Sequence, residues 1–146
     1  MPTIYTIGFR KKPLREFIGL LREAGVDAVI DIRLRNTSQL AGYTKKDDLD
    51  FLLRQGFGIA YEHRPELAPT PEILDAYRAD KDWPAYERRF DPLMVERQME
   101  QAAGDILAHY ERPCLLCSEP TAEKCHRRLV AEYWQQHVQG LDVVHL

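Results

Sequence analysis

No stretch of this sequence approaches the roughly 18 consecutive apolar residues that a membrane-spanning helix needs, and the N-terminus lacks a signal-peptide pattern. The expectation is a cytoplasmic protein with no membrane partner. Only three cysteines occur among 146 residues. So few thiols, odd in number and without a secretory signal, argue against disulfide stapling and for a reducing compartment. Lys and Arg number 20 against 23 Asp and Glu, a net charge of −3. That excludes the broad basic footprint of a duplex nucleic-acid binder but leaves room for a local basic patch. Also missing are a glycine-rich phosphate loop, a Ser-His-Asp signature, an adenylate motif, internal repeats and low-complexity linkers. With 45% apolar and 29% charged residues, what remains is ordinary globular composition, and the length fits a single domain around one core.

What is there alternates between strand and helix patterns. Thr3 to Ile7 is a β-rich run closed by Gly8. Pro13 suits the first position of a helix that carries Leu14, Phe17, Ile18 and Leu21 on one face and stops at Gly25. Val26 to Ile32 reads as a second strand with Arg33 at its tip. Thr44 is a candidate cap for a helix over 47–55, and Ile59-Ala60-Tyr61 is a weaker third strand. Thr70-Pro71-Glu72 has the form of a cap and first turn. Helices broken near Asp91-Pro92 follow over 82–110, and Cys114 to Cys117 is a fourth strand. Thr121 is the expected cap of a helix bearing Leu129, Val130, Tyr133 and Trp134, ended by Gly140, and Val143-Val144 suggests a last strand. This order predicts an α/β fold, a mostly parallel sheet of about five strands with helices on both faces.

In such a sheet, ligands bind beyond the carboxyl ends of the strands. Gly8, Phe9 and Arg10 follow the first strand; Asp31, Arg33 and Arg35 the second; His63, Pro65 and Glu66 the third. Cys117, Glu119, Cys125, His126 and Arg127 follow the fourth. The densest segment is 113–128, where two thiols, a carboxylate, an imidazole and two guanidiniums flank a strand-to-helix turn. Helix N-termini offer unpaired N–H groups and a partial positive charge, and so attract anions.

Thr6-Ile7-Gly8, Asp31-Ile32-Arg33, Pro65-Glu66-Leu67 and Cys117-x-Glu119-x5-Cys125-His126-Arg127 together resemble the family known as domain of unknown function 488. The likeness spans residues 4 to about 134, and the Cys-Glu-Cys-His-Arg element is its most specific part. It implies a small α/β protein and leaves the chemistry to be read from the residues. One departure stands out: a His-Ser pair often follows Thr-Ile-Gly in the family, whereas Phe9-Arg10 follows it here.

Three functions fit these residues. The first is an enzyme acting on an anionic, phosphate-bearing substrate such as a nucleotide or nucleic-acid end. Cys117, Glu119, Cys125 and His126 would supply its chemistry, while Gly8, Asp31, Arg33, His63, Glu66 and Arg127 surround the substrate. Cys125 is the expected thiolate, in the first turn of a helix beside Arg127 and Arg128. The second is a non-catalytic module for nucleotide or single-stranded nucleic acid, with the same arginines and inert, packed cysteines. The third is a metal-binding protein using Cys117, Cys125 and His63 or His126. Geometry weighs against a closed zinc ribbon. Positions 114 and 117 of a strand face opposite ways, and neighbours on a helix diverge by about 100°. No metal is therefore assigned, and no motif names a cofactor. Asp31 is expected to orient Arg33 or Arg127, and His63 and Glu66 are a candidate acid–base pair. Tyr43, Trp83 and Tyr86 either pack the core or cover the pocket. His109, His137 and His145 read as surface residues, and nothing in the sequence sets the oligomeric state.

Overall fold

The computed structural model describes residues 2–146, with 39–41 described by backbone alone. Five strands, β1 (Thr3–Gly8), β2 (Ala28–Asp31), β3 (Ala60–His63), β4 (Pro113–Cys117) and β5 (Asp142–His145), form one parallel sheet in the order β3-β2-β4-β1-β5. The helices are α1 (Leu14–Glu23), α2 (Lys46–Phe51), α3 (Pro71–Asp80), α4 (Trp83–Glu96), α5 (Glu100–His109) and α6 (His126–His137). This is the α/β architecture that the strand–helix alternation implies. Among the described residues, no helix is long and apolar enough to cross a membrane.

Strand periodicity divides the core in two. Tyr5, Ile7, Val29, Cys114 and Leu116 face the side covered by Phe17, Ile18 and Leu21 of α1 and Leu49 of α2. Ile4, Ala28, Ile30 and Leu115 face the other side, under Phe90 of α4, Ile106 of α5 and Val130 and Trp134 of α6. Trp134 is fully buried and its indole N–H donates to the carbonyl of Met99 at 3.0 Å, fixing α6 against the start of α5. A buried side chain of this size contributes about 1.5–3 kcal/mol, so α6 sits on a firm support.

Helix ends depart from the sequence reading in instructive places. At Gly25 (φ 72°) α1 closes as expected: the N–H groups of Gly25 and Val26 reach back to Arg22 and Leu21. The predicted break at Asp91-Pro92 is absent, because α4 runs through Pro92. It ends instead on the same motif built from Gln98 (φ 51°), with Met99 N–H on the Met94 carbonyl. A left-handed Gln at this position gives none of the signal that glycine gives. Thr70 caps α3 by accepting from the Ile73 N–H. Thr44 does not cap α2, whose N-cap is Lys45. Thr121 does not cap α6, which starts five residues later with Cys125 at its N-cap.

Candidate functional site

The strand order places a topological switch at β4. It leads into α6 on one face, while its neighbours β1 and β2 lead into α1 and α2 on the other. The connections part there, leaving a crevice beyond the strand ends. Cys117 ends β4 in register with Gly8. A Cβ on Gly8 would lie 1.5 Å from the Glu119 carbonyl oxygen and 2.9 Å from Arg127 Nη1. Glycine is therefore what lets the turn after β4 lie against β1.

Cys117, Cys125 and His126 are all buried, and their ligating atoms lie within 4.8 Å of one another. The His126 Nε2 sits 2.7 Å from the Ile32 carbonyl oxygen at the end of β2. A carbonyl only accepts, so Nε2 carries the hydrogen, and Nδ1 is the ring nitrogen turned to the Cys117 Sγ, 3.3 Å away. A thiol, an imidazole nitrogen and a carbonyl that orients the ring thus follow one another. Cys125 joins them because its backbone is extended (φ −142°, ψ 141°) and not helical. The 100° divergence expected for helical neighbours therefore does not apply. Cys114 faces the opposite side of the sheet among Tyr5, Phe17 and Leu116, and burial raises its thiol.

The thiols separate in an order opposite to the one expected. Burial pushes Cys117 upward, but hydrogen bonds from Cys125 and the Ser118 N–H, with the charges of Arg127 and Arg33, carry it below the ordinary thiol value. Cys125 is pushed well above that value by burial and by Cys117 itself. The expectation of a thiolate at Cys125 rests on the helix start and the neighbouring arginines, and burial together with Cys117 outweighs both.

The two arginines play unlike parts. Arg33 is 4% exposed and forms a two-pronged pair with Asp31, Nε to Oδ1 at 2.9 Å and Nη2 to Oδ2 at 2.8 Å. Asn36 and the Tyr61 hydroxyl also donate to Asp31, and Thr44 accepts from Arg33 through its carbonyl at 2.7 Å. Asp31 is held below the usual carboxylate range: burial opposes this, and Arg33 and Tyr61 overcome it. Arg33 also lies over the Phe9 ring, 5.3 Å from its centroid. Arg127 is wholly buried. Its Nε donates to Thr6 at 3.2 Å and its Nη1 to the Glu119 carbonyl at 2.7 Å, while Nη2 has no hydrogen-bond partner among the described residues.

A cavity opens directly above the cluster. Cys117, Cys125 and His126 form its floor, Tyr77, Trp83 and Tyr86 one wall, and Arg10, Arg35, Arg78 and Lys124 stand around it with Glu119. Trp83 and Tyr86 stack with centroids 4.8 Å apart, so they serve both as core and as wall. Glu119 pairs with Arg10 across the opening at 3.1 Å, and Arg35 pairs with Asp75 at 2.9 Å. Both pairs are exposed and open readily. Gly8, Asp31 and Arg127 lie behind this surface and hold it in shape. His63 and Glu66 stay apart from it and from each other. His63 ends β3 and its Nε2 lies 3.0 Å from the Arg33 carbonyl, while Glu66 pairs with Arg64 at 3.3 Å. Sequence reasoning passed over Thr6, Asn36 and Tyr61. Strand alternation alone could have flagged Thr6 and Tyr61, as polar groups at inward-facing positions.

An open parallel sheet with a buried thiol–imidazole cluster at its switch point defines a small doubly wound α/β protein with one equipped edge. The family model described as "Domain of unknown function DUF488" matches residues 13–134, and the chain belongs to that family. No curated protein and no solved structure gives a significant match to the chain.

Proposed function

We propose that the protein is an enzyme that uses Cys117 as a nucleophile on a small substrate bearing an anionic group. The observation that carries this reading is the alignment of Cys117 Sγ, His126 Nδ1 and the Ile32 carbonyl, at 3.3 and 2.7 Å. His126 takes the thiol proton as Sγ bonds to an electrophilic centre of the substrate. It returns that proton to the leaving group as the scissile bond breaks. Water or a second substrate then releases the product, which makes the protein a hydrolase or a transferase. Anion recognition falls to Arg10, Arg35, Arg78 and Lys124, which stand around the cavity and outnumber its one carboxylate, Glu119. The aromatic wall suits an apolar or planar part of the same molecule.

The test is a trapping screen of the reduced protein with acyl phosphates, nucleotides, sugar phosphates and inorganic phosphate, read by intact mass and peptide mapping. The expected result is a substrate-dependent adduct on Cys117 that Cys117→Ser abolishes. Binding of an anion with no adduct, and with affinity unchanged after alkylation of the thiols, would assign the protein to non-catalytic nucleotide or nucleic-acid binding instead.

A further inference from the structure

We propose that the floor of this cavity is also a three-ligand site for a thiophilic divalent cation of the zinc class, held by Cys117 Sγ, Cys125 Sγ and His126 Nδ1. These three atoms lie within 4.8 Å of one another, close to the spacing at which two sulfurs and an imidazole nitrogen surround one tetrahedral ion. They come from two elements that the fold fixes independently, the end of β4 and the N-cap and first residue of α6. The imidazole is already set for the task. Its Nε2–H is committed to the Ile32 carbonyl at 2.7 Å, the outer hydrogen bond that metal-binding histidines characteristically make, and its Nδ1 faces the sulfurs. The charges are also accounted for: Arg33 is paired with Asp31, two thiolates cancel a dication, and buried Arg127 and Lys124 at the cavity are cations that remain beside Glu119. All three ligands line the cavity together with Ser118, Glu119 and Lys124, so an ion held by them would be reachable from it, as in a reactive centre and unlike a closed structural one. On binding, each thiol loses its proton to solvent as a metal–sulfur bond forms, with no change of oxidation state. A metal-bound Cys117 is not a free nucleophile. Occupancy and the covalent reading therefore describe two alternative states of one site.

The test uses the full chain, reduced and stripped with a chelator, then titrated with Co2+ and afterwards with Zn2+. The expected result is one equivalent of Co2+ with tetrahedral visible bands and a thiolate-to-cobalt charge-transfer band, all displaced by Zn2+. Cys125→Ser and His126→Asn should each weaken binding more than about 100-fold, since loss of even an outer partner costs 10- to 100-fold. Cys114→Ala, which alters the thiol outside the cluster, should bind as the parent does. Uptake below about a tenth of an equivalent by the parent protein, or equal uptake by the Cys125→Ser and His126→Asn variants, overturns the proposal. If Cys125→Ser fails to fold, the strength of the charge-transfer band in the parent protein reports whether two thiolates bind. Metal content is read without substrate, and the Cys117 adduct on metal-free protein, so the two ideas fail separately.

Discussion

The imidazole of His126 crosses the sheet edge to the carbonyl of Ile32, 2.7 Å away and 94 positions earlier in the chain. That one bond decides which ring nitrogen faces Cys117. His63 makes the same kind of bond to the next carbonyl, that of Arg33, at 3.0 Å. Two imidazoles therefore pin consecutive peptides at the end of β2, and the second supports the site without entering it.

If His126 is the base, its loss should slow the thiol without dismantling the sheet. His126→Asn is expected to lower the rate of Cys117 alkylation by iodoacetamide at neutral pH by about 100-fold, within the range that a positioned base supplies. Far-UV circular dichroism should be unchanged. A rate within twofold of the parent would remove His126 from the mechanism.

The Asp31–Arg33 pair is structural support and should behave as a buried ion pair does. Asp31→Asn leaves the Arg33 charge uncompensated and is expected to cost about 3–5 kcal/mol in urea unfolding. Tyr61→Phe removes one donor to the same carboxylate and should cost about 1 kcal/mol. The pH dependence has a definite sign. Asp31 is held below its ordinary value in the folded protein, so its contribution is complete above that value and is lost as pH falls through the folded value. The parent should therefore lose stability on acidification more steeply than Asp31→Asn does. Parallel acid profiles for the two proteins would contradict this.

The fold was readable because the strands are short apolar runs punctuated by Gly8 and Gly25, and because Thr70 and Pro71 announce α3. The site was readable in part. That Cys117, His126 and Arg33 come together at one cavity follows from their positions beyond strand ends, which depend only on the order of elements. What escaped was set by backbone conformation at single residues. Cys125 is extended at an N-cap where a helical turn was expected, and this brings its sulfur to Cys117 and His126, removing the expected divergence of helical neighbours. Cysteine has no strong capping preference, whereas Thr121 has one, so local sequence favoured the wrong start. The bond between Tyr61 and Asp31 joins two strands adjacent only in the folded sheet, and no local pattern encodes it.

Gly8 is where the geometry leaves least tolerance. Gly8→Ala would put a methyl group 1.5 Å from the Glu119 carbonyl oxygen, so the turn over 118–125 must move away from β1. The expected cost is about 1–3 kcal/mol of stability, typical of overpacking. Cys117 reactivity should also fall, because the same turn places Cys125 and His126. An alkylation rate equal to that of the parent would show that the turn does not set the cluster.

Arg127 separates function from stability. It is fully buried, one of its nitrogens has no partner among the described residues, and its charge helps hold Cys117 down. A buried cation without a carboxylate is expensive, and replacing it with an apolar side chain of similar length relieves that cost while giving up the bonds to Thr6 and the Glu119 carbonyl. Arg127→Met is therefore expected to change unfolding free energy by less than about 1 kcal/mol, the two effects offsetting. Cys117 alkylation at neutral pH should slow by about tenfold, because a thiol that loses a neighbouring cation is less ionised. A fall in melting temperature with the alkylation rate unchanged would make Arg127 a strut between α6 and β1, and the charge of the site would then have to come from Arg33 and the cations around the opening.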